Sequence, residues 1–222
     1  MTHSILMVAT SCQQIDTDHP TGLWLEEFAV PYQTFKEAGI KVALASPRGG
    51  AVPVDPRSLP SADSPRSWQE ALRALEFSAP LNRFAAQPFA AVFLPGGHGT
   101  MFDLPENPEL AALLSDFAKA EKTIAAVCHG PAGLLGARQP DGRPLVADKR
   151  LTAFTNAEER AVELDRLMPF LLEDRLRSLG CHFIAADNWQ EHVEIDGQLI
   201  TGQNPQSSLA TAQALVRALS GE

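Results

Sequence analysis

Residues 123 to 137, TIAAVCHGPAGLLGA, run from a β-branched apolar stretch through Cys128 and His129 into small residues punctuated by glycine. A thiol at the carboxyl end of a strand, on a sharp turn into a helix, has the geometry of a nucleophile elbow. Backbone N–H groups at the helix start would favour thiolate over thiol and lower the cysteine pKa, and thiolate is the reactive form. Carboxyl ends of strands are also where open α/β sheets bind ligands. The chemistry expected is nucleophilic catalysis by Cys128. The competing reading is a buried thiol filling a gap between helix and sheet, the usual fate of a free cysteine in a reducing compartment. His129 could act beside the sulfur, or stand in water at the helix start.

A second stretch, LPGGHGTMFD at 94 to 103, ends an apolar run in Gly96, Gly97, His98 and Gly99. Glycines there let backbone N–H groups approach a developing oxyanion without a Cβ in the way. Gly96, Gly97 and His98 are therefore candidates for oxyanion and substrate binding, against the plainer reading of a turn capped by His98. The other histidines, His3, His19, His182 and His192, are scattered and read as surface or structural. The cysteines, Cys12, Cys128 and Cys181, are odd in number and show neither CxxC nor Cys/His spacing. Neither a disulfide framework nor a structural zinc site is suggested. With no HxH or HExxH pattern and no carboxylate–histidine cluster in sequence, no metal and no cofactor is expected. Cys12 could border a pocket, whereas Cys181 reads as core. Trp24, Trp68 and Trp189 could line one, although apolar packing is the commoner use.

The elements that must position these residues alternate. SILMVAT, KVALASP, AAVFLPGG, TIAAVC, RLTAFT and HFIAAD read as strands, and the segments 23–39, 108–122, 130–137, 157–180 and 207–220 read as helical. In the first helical segment Leu25, Phe28, Ala29, Tyr32, Phe35 and Ala38 recur at helical spacing; Pro31 should kink it and Gly39 stop it. The 157–180 region should bend or break near Pro169. In HVEIDGQLITG, Asp196-Gly197 between alternating runs signals a β-hairpin. The whole predicts an α/β fold, a mostly parallel sheet sandwiched by helices with a local hairpin. Residues 1–222 read as one domain, with a Pro- and Ser-rich excursion at about 48–88 that carries one short helix.

The chain has 222 residues, 45% hydrophobic, enough for a substantial core. Against 18 Lys and Arg stand 27 Asp and Glu, a net charge of −9 that argues against a nucleic-acid partner. No apolar run approaches the roughly 20 residues that cross a bilayer. MTHSILMVAT lacks the basic start, long apolar stretch and cleavage site of a signal peptide, so no membrane association and a cytoplasmic location are expected.

AVCHGPAGLL, with LPGGHGTMFD upstream, TGLWLEEFAVPYQTFKEAGIKVALASPRGG near the start and GRPLVADKRLTAFTNAEE downstream, resembles the ThiJ/PfpI superfamily, which has a flavodoxin-like, class I glutamine amidotransferase-like fold. The spacing is most similar to the glutathione-independent glyoxalase III and chaperone-like branch, and the resemblance covers nearly the whole chain. It implies Cys128 as nucleophile, His129 beside it, a first-helix glutamate reaching the sulfur, and an acid that orients the histidine. Counting back from Pro31 favours Glu27 over Glu26 for the first acid. In FTNAEE the family pattern favours Glu159 over Glu158 for the second, although a glutamate pair at a helix start is often only dipole compensation. A carboxyl buried beside sulfur should have a raised pKa and keep a proton to share. The backbone N–H groups of Gly97 and His129 would form the oxyanion hole.

The resemblance implies attack of Cys128 on a small 2-oxoaldehyde such as methylglyoxal, without glutathione or metal, and a homodimer. The alternatives are a cysteine amidase or peptidase using the same nucleophile, and a stress chaperone or redox sensor in which Cys128 is oxidised. A glutaminase subunit is a weaker reading, since no synthase domain is attached.

Overall fold

A computed structural model describes residues 3–61, 65 and 67–221. Residues 62–64 and 66 of the expected excursion, and residues 1, 2 and 222, lie outside the described residues. The apolar runs form β1 (Ser4–Val8), β2 (Lys41–Ser46), β4 (Ala91–Leu94), β5 (Thr123–Val127) and β9 (Leu199–Gly202), a parallel set in the order β2-β1-β4-β5-β9. This is the flavodoxin-like order. A two-residue strand, β3 (Ala79–Pro80), extends one edge in parallel, and β8 (Val193–Asp196) closes the other antiparallel to β9.

Every residue of β4 and β5 is buried, because parallel strands are covered on both faces and so read as continuous apolar runs. Alternate side chains divide into two cores. Leu6, Val8, Val92, Leu94, Ile124 and Ala126 meet Leu110, Leu114 and Phe117 of α4 (Pro108–Lys119). Ile5, Met7, Phe93, Ala125 and Val127 meet Phe28 and Phe35 of α1 (Leu25–Glu37), and Ala212 and Leu215 of α7 (Ser208–Ser220). Helix α1 runs on through Pro31, which withholds an N–H from the Glu27 carbonyl four residues earlier. Among the described residues no helix is long and apolar enough to cross a membrane.

Several local expectations are revised. The segment after Cys128 is a five-residue 3-10 turn, Gly130–Leu134, rather than a longer helix. Pro131 opens it, and Gly130 and Gly133 press against Leu94, where a Cβ would come within 2.1 Å of the Leu94 carbonyl oxygen and 2.5 Å of its side chain. Of RLTAFT and HFIAAD only β6 (Arg150–Leu151) and β7 (His182–Phe183) are strand, paired with each other outside the main sheet. The 157–180 region divides into α5 (Asn156–Ala161) and α6 (Leu172–Ser178), a wider interruption than one proline suggests, with Glu163 at a positive φ of 59° just after α5. The hairpin stands where expected, but Asp196 pairs with Leu199, so Gly197 and Gln198 make the turn. Gly197, at φ 59°, takes the first central position that favours glycine. The excursion folds against the body through a 3-10 turn, Pro56–Ser58, a helix α2 (Ser67–Leu75), and β3.

Candidate active site

The carboxyl ends of β4 and β5 meet beside the reversal of strand order between β1 and β4. Cys128 follows β5 with φ 59°, a left-handed conformation that costs a β-carbon residue about 1–3 kcal/mol. Two backbone bonds hold it there. Its N–H donates to the Gly202 carbonyl of β9 (2.9 Å), and its carbonyl accepts from Phe154 N–H (2.9 Å). The strain is characteristic of an elbow that turns one side chain away from the strand path.

The expected lowering of the Cys128 pKa is overturned. The side chain is buried, and burial, followed by the charge and hydrogen bond of Glu27, pushes the thiol well above its ordinary value. The backbone N–H of His129 acts in the opposite direction and does not win. The following turn is too short to supply the dipole of an α-helix, so little opposes desolvation.

Glu27, in the first turn of α1, is the glutamate at the sulfur; Glu26 beside it is only half-buried and lies outside the cavity. Gly96 N–H donates to Glu27 Oε2 at 2.8 Å. Its Oε1 has no hydrogen-bond partner among the described residues. Burial raises the Glu27 pKa to about 8, against the lowering effect of hydrogen bonds with Cys128 and Gly96. The acid therefore holds its proton at neutral pH, as expected for a carboxyl beside sulfur.

Glu159 lies on α5, whose N-terminus is fixed by a capping box between Thr155 and Glu158. His129 Nε2 lies 2.7 Å from Glu159 Oε2, and His98 Nε2 lies 2.8 Å from Oε1. Burial alone would raise this carboxyl; the charges and hydrogen bonds of His129 and His98 outweigh it and hold Glu159 well below the usual carboxylate range. His129 Nδ1 stands 3.4 Å from Cys128 Sγ. Sulfur, imidazole and carboxylate thus form an unbroken chain. Glu158 plays no part in that chain and instead ties three segments together, since its Oε1 accepts from Trp189 N–H, Gln203 Nε2 and Asn204 Nδ2.

His98 is neither an exposed turn cap nor a group on its own. Its ring lies 4.2 Å from that of His129, and burial followed by the His129 charge lowers its pKa to about 4. Gly96 is also reassigned, because its N–H is committed to Glu27 and it does not line the cavity. Gly97, with φ 100°, does line it, and a Cβ there would come within 2.4 Å of Gly22 O and Trp24 N. Thr100 Oγ1 donates to the carbonyls of Gly97 (2.8 Å) and His129 (3.1 Å), tying the two glycine-bearing loops together.

His98, His129 and Glu159 bring a carboxylate and two imidazoles within 4.8 Å, a grouping that spacing in sequence could not reveal because it draws on two loops and a helix far apart in the chain. Each carboxylate oxygen is already paired with a ring nitrogen, so the arrangement is a hydrogen-bonded bridge. Above the sulfur, Trp24, Arg57, Phe154 and Trp189 wall a cavity of about 190 Å³. Phe154 lies 4.5 Å from the His129 ring and 5.7 Å from Trp189. Trp68, Cys12, Cys181, His3, His19, His182 and His192 lie outside it. Arg57 and Phe154 were not anticipated, the first lying in the Pro-rich excursion and the second within a presumed strand.

A profile of the DJ-1/PfpI family matches residues 21–218, and the chain belongs to that family. A glutathione-independent glyoxalase of Schizosaccharomyces pombe (hsp3101) is 30% identical over 213 residues, covering 89% of this chain and 87% of its own. The protein/nucleic acid deglycase HchA of Escherichia coli is 29% identical over 240 residues, 99% of this chain and 83% of its own. The crystal structure of glyoxalase III from Candida albicans is similar with a TM-score of 0.89, at 25% identity over 97% of both chains.

Proposed function

We propose that the protein is a glutathione-independent glyoxalase that converts methylglyoxal or a related 2-oxoaldehyde to the 2-hydroxy acid, with Cys128 as nucleophile. The observation that carries this reading is Glu27, buried at the sulfur and still protonated up to about pH 8. Acyl transfer has no evident use for a proton-bearing acid on that side of the sulfur, whereas moving a proton between adjacent carbons does. The cavity of about 190 Å³ is below the roughly 300–1,000 Å³ of sites for drug-sized ligands, which suits a small aldehyde better than a peptide.

In the first step the S–C bond forms at the aldehyde carbon, and the thiol proton passes to His129 Nδ1 and from there to the carbonyl oxygen, which leaves the imidazole neutral again. The product is a hemithioacetal. Glu159 supports the imidazolium formed, and the N–H groups of Gly97 and His129 face the developing oxyanion. A proton then leaves the hemithioacetal carbon and one is returned to the neighbouring ketone carbon, through an enediol. Glu27 and His129 are the groups that carry it. One carbon is oxidised and its neighbour reduced by the same electron pair, leaving a 2-hydroxyacyl thioester on Cys128. Water cleaves the C–S bond, releases the acid and restores the thiol. The sum is oxoaldehyde plus water giving 2-hydroxy acid, a balance that calls for no external oxidant or reductant.

We assign the enzyme to the cytoplasm as a homodimer, a reading supported by three unpaired cysteines and by the family resemblance. The deciding experiment incubates purified protein with methylglyoxal in the absence of glutathione and measures lactate. Wild type is expected to form lactate and Cys128→Ala none. Equal rates in the two, or no lactate from wild type, would overturn the reading.

A further inference from the structure

We propose that Arg57, clamped by Asp55, is a positioning residue that fixes the tautomer of His98 and, through Glu159, aims His129 at the sulfur. The inference rests on the reading above only in its last link, the use of His129 as proton acceptor. Asp55 has its side chain wholly buried, and it is itself fixed by Thr21 Oγ1, which donates to Oδ2 at 3.0 Å. Arg57 Nε donates to Asp55 Oδ1 (2.9 Å) and Arg57 Nη2 to Oδ2 (2.7 Å), a planar two-point grip. The same Nη2 reaches His98 Nδ1 at 3.3 Å.

A guanidinium has only donors. His98 Nδ1 must therefore present its lone pair, so the neutral ring carries its hydrogen on Nε2, where it donates to Glu159 Oε1. That leaves Oε2 for His129 Nε2–H, and His129 in turn presents the lone pair of Nδ1 to Sγ. Glu159, ionised, accepts on both oxygens and so draws an Nε2–H from each imidazole, and Arg57 reinforces that choice at His98 from the other side of its ring. The neighbouring Ser58 works on the other arm of the site, since its Oγ accepts from Leu25 N–H at the start of the helix that carries Glu27. The excursion thus braces both acids of the site.

Arg57 adds to the burial and the His129 charge that keep His98 neutral, and its loss removes the one donor that faces Nδ1 among the described residues. The charged and titratable groups facing the His98–Glu159–His129 bridge are Arg57 with Asp55 behind it, and Cys128 with Glu27 and Glu158 beyond. Loss of the Arg57 charge lets His98 accept a proton more readily and compete with His129 for the Glu159 charge. The test compares wild type with Arg57→Met and Arg57→Gln, the second keeping an N–H donor without the charge. Folding of each is checked by thermal melting, so that one variant remains informative if the other unfolds.

Imidazole nitrogens are read by long-range ¹⁵N–¹H NMR on histidine-labelled protein. Wild type should show His98 with Nε2 protonated, and Arg57→Met should show mixed tautomers or an imidazolium at mildly acid pH. With methylglyoxal, kcat should fall about tenfold, the worth of one hydrogen bond, with a smaller change in KM and an acid limb moved to higher pH. Arg57→Gln should recover part of the loss. Unchanged His98 signals in Arg57→Met would overturn the proposal whatever the kinetics. Altered His98 signals in a protein that makes no lactate would uphold the positioning and remove the glyoxalase reading.

Discussion

Glu27 and Glu159 are almost equally hidden from water, 0% and 3% exposed, and both reach Cys128, one directly and one through His129. Their protons behave in opposite ways. Glu27 receives one backbone N–H and, among the described residues, meets no cation, so desolvation wins and the acid stays neutral to about pH 8. Glu159 has an imidazole on each oxygen, and that pair holds it ionised against the same desolvation. Burial thus sets the stakes and partners decide the sign. The consequence is a division of labour around one sulfur, with a proton donor on one arm and a permanent anion behind a base on the other.

The largest effects should come from exchanging these roles. Glu159→Gln removes the charge that supports His129 and offers a donor where an acceptor is needed, so kcat should fall by about 10³–10⁴, as for loss of the acid in a catalytic triad. Glu27→Gln keeps the shape but cannot release a proton; its kcat should fall by about 10²–10⁴. The shape of the pH profile sharpens the contrast. Wild-type kcat/KM should decline above about pH 8 as Glu27 ionises, and whatever activity Glu27→Gln retains should lack that decline. A wild-type profile flat to about pH 9.5 would contradict the assignment of the proton to Glu27.

Stability offers a separate reading of the same difference. The folded pKa of Glu27 is raised from an ordinary 4.5 to about 8, so its favourable contribution is complete below about pH 4.5 and is lost as pH rises through 8. Glu27→Gln has nothing to ionise. The variant should gain on wild type across that window, by up to roughly a few kcal/mol in denaturant unfolding at about pH 9. His98 has the opposite sign: its pKa is lowered from 6.5 to about 4, so its contribution is present above 6.5 and lost as pH falls through 4.

β1, β2, β4 and β5 were legible as apolar runs, Ala91–Leu94 and Thr123–Val127 most plainly because every residue there is buried, whereas β9 was legible only as an arm of the hairpin. The elbow was legible because a cysteine followed by His-Gly-Pro interrupts such a run. The second acid, the family resemblance aside, was open between Glu158 and Glu159, because neighbours on a helix start differ only in which way they face. Arg57 left no local signal, since Pro56-Arg57-Ser58 reads as loop until Asp55 and His98 are brought to it. The direction of the Cys128 pKa failed for a related reason. A helix dipole can be guessed from adjacent residues, but the burial that defeats it, and the charge and hydrogen bond of Glu27 that add to it, come from parts of the chain distant in sequence.

The mildest way to disturb the contrast is to add one carbon at Gly96. A Cβ there would stand 2.6 Å from both Glu27 Oε2 and the backbone nitrogen of His129, and 2.8 Å from the Val127 carbonyl oxygen. Two of these atoms are backbone and cannot move cheaply, so the carboxyl of Glu27 must give way and lengthen its bond to the Gly96 N–H. That bond opposes the rise in pKa, and weakening it should push Glu27 above 8, while the same Cβ also crowds the backbone of His129. Gly96→Ala should therefore lose about 1–3 kcal/mol of stability, and the alkaline limb of its kcat/KM should move upward. An unshifted limb in a folded Gly96→Ala would mean that the glycine serves only to let β4 and β5 close together, and that the proton on Glu27 is governed by burial alone.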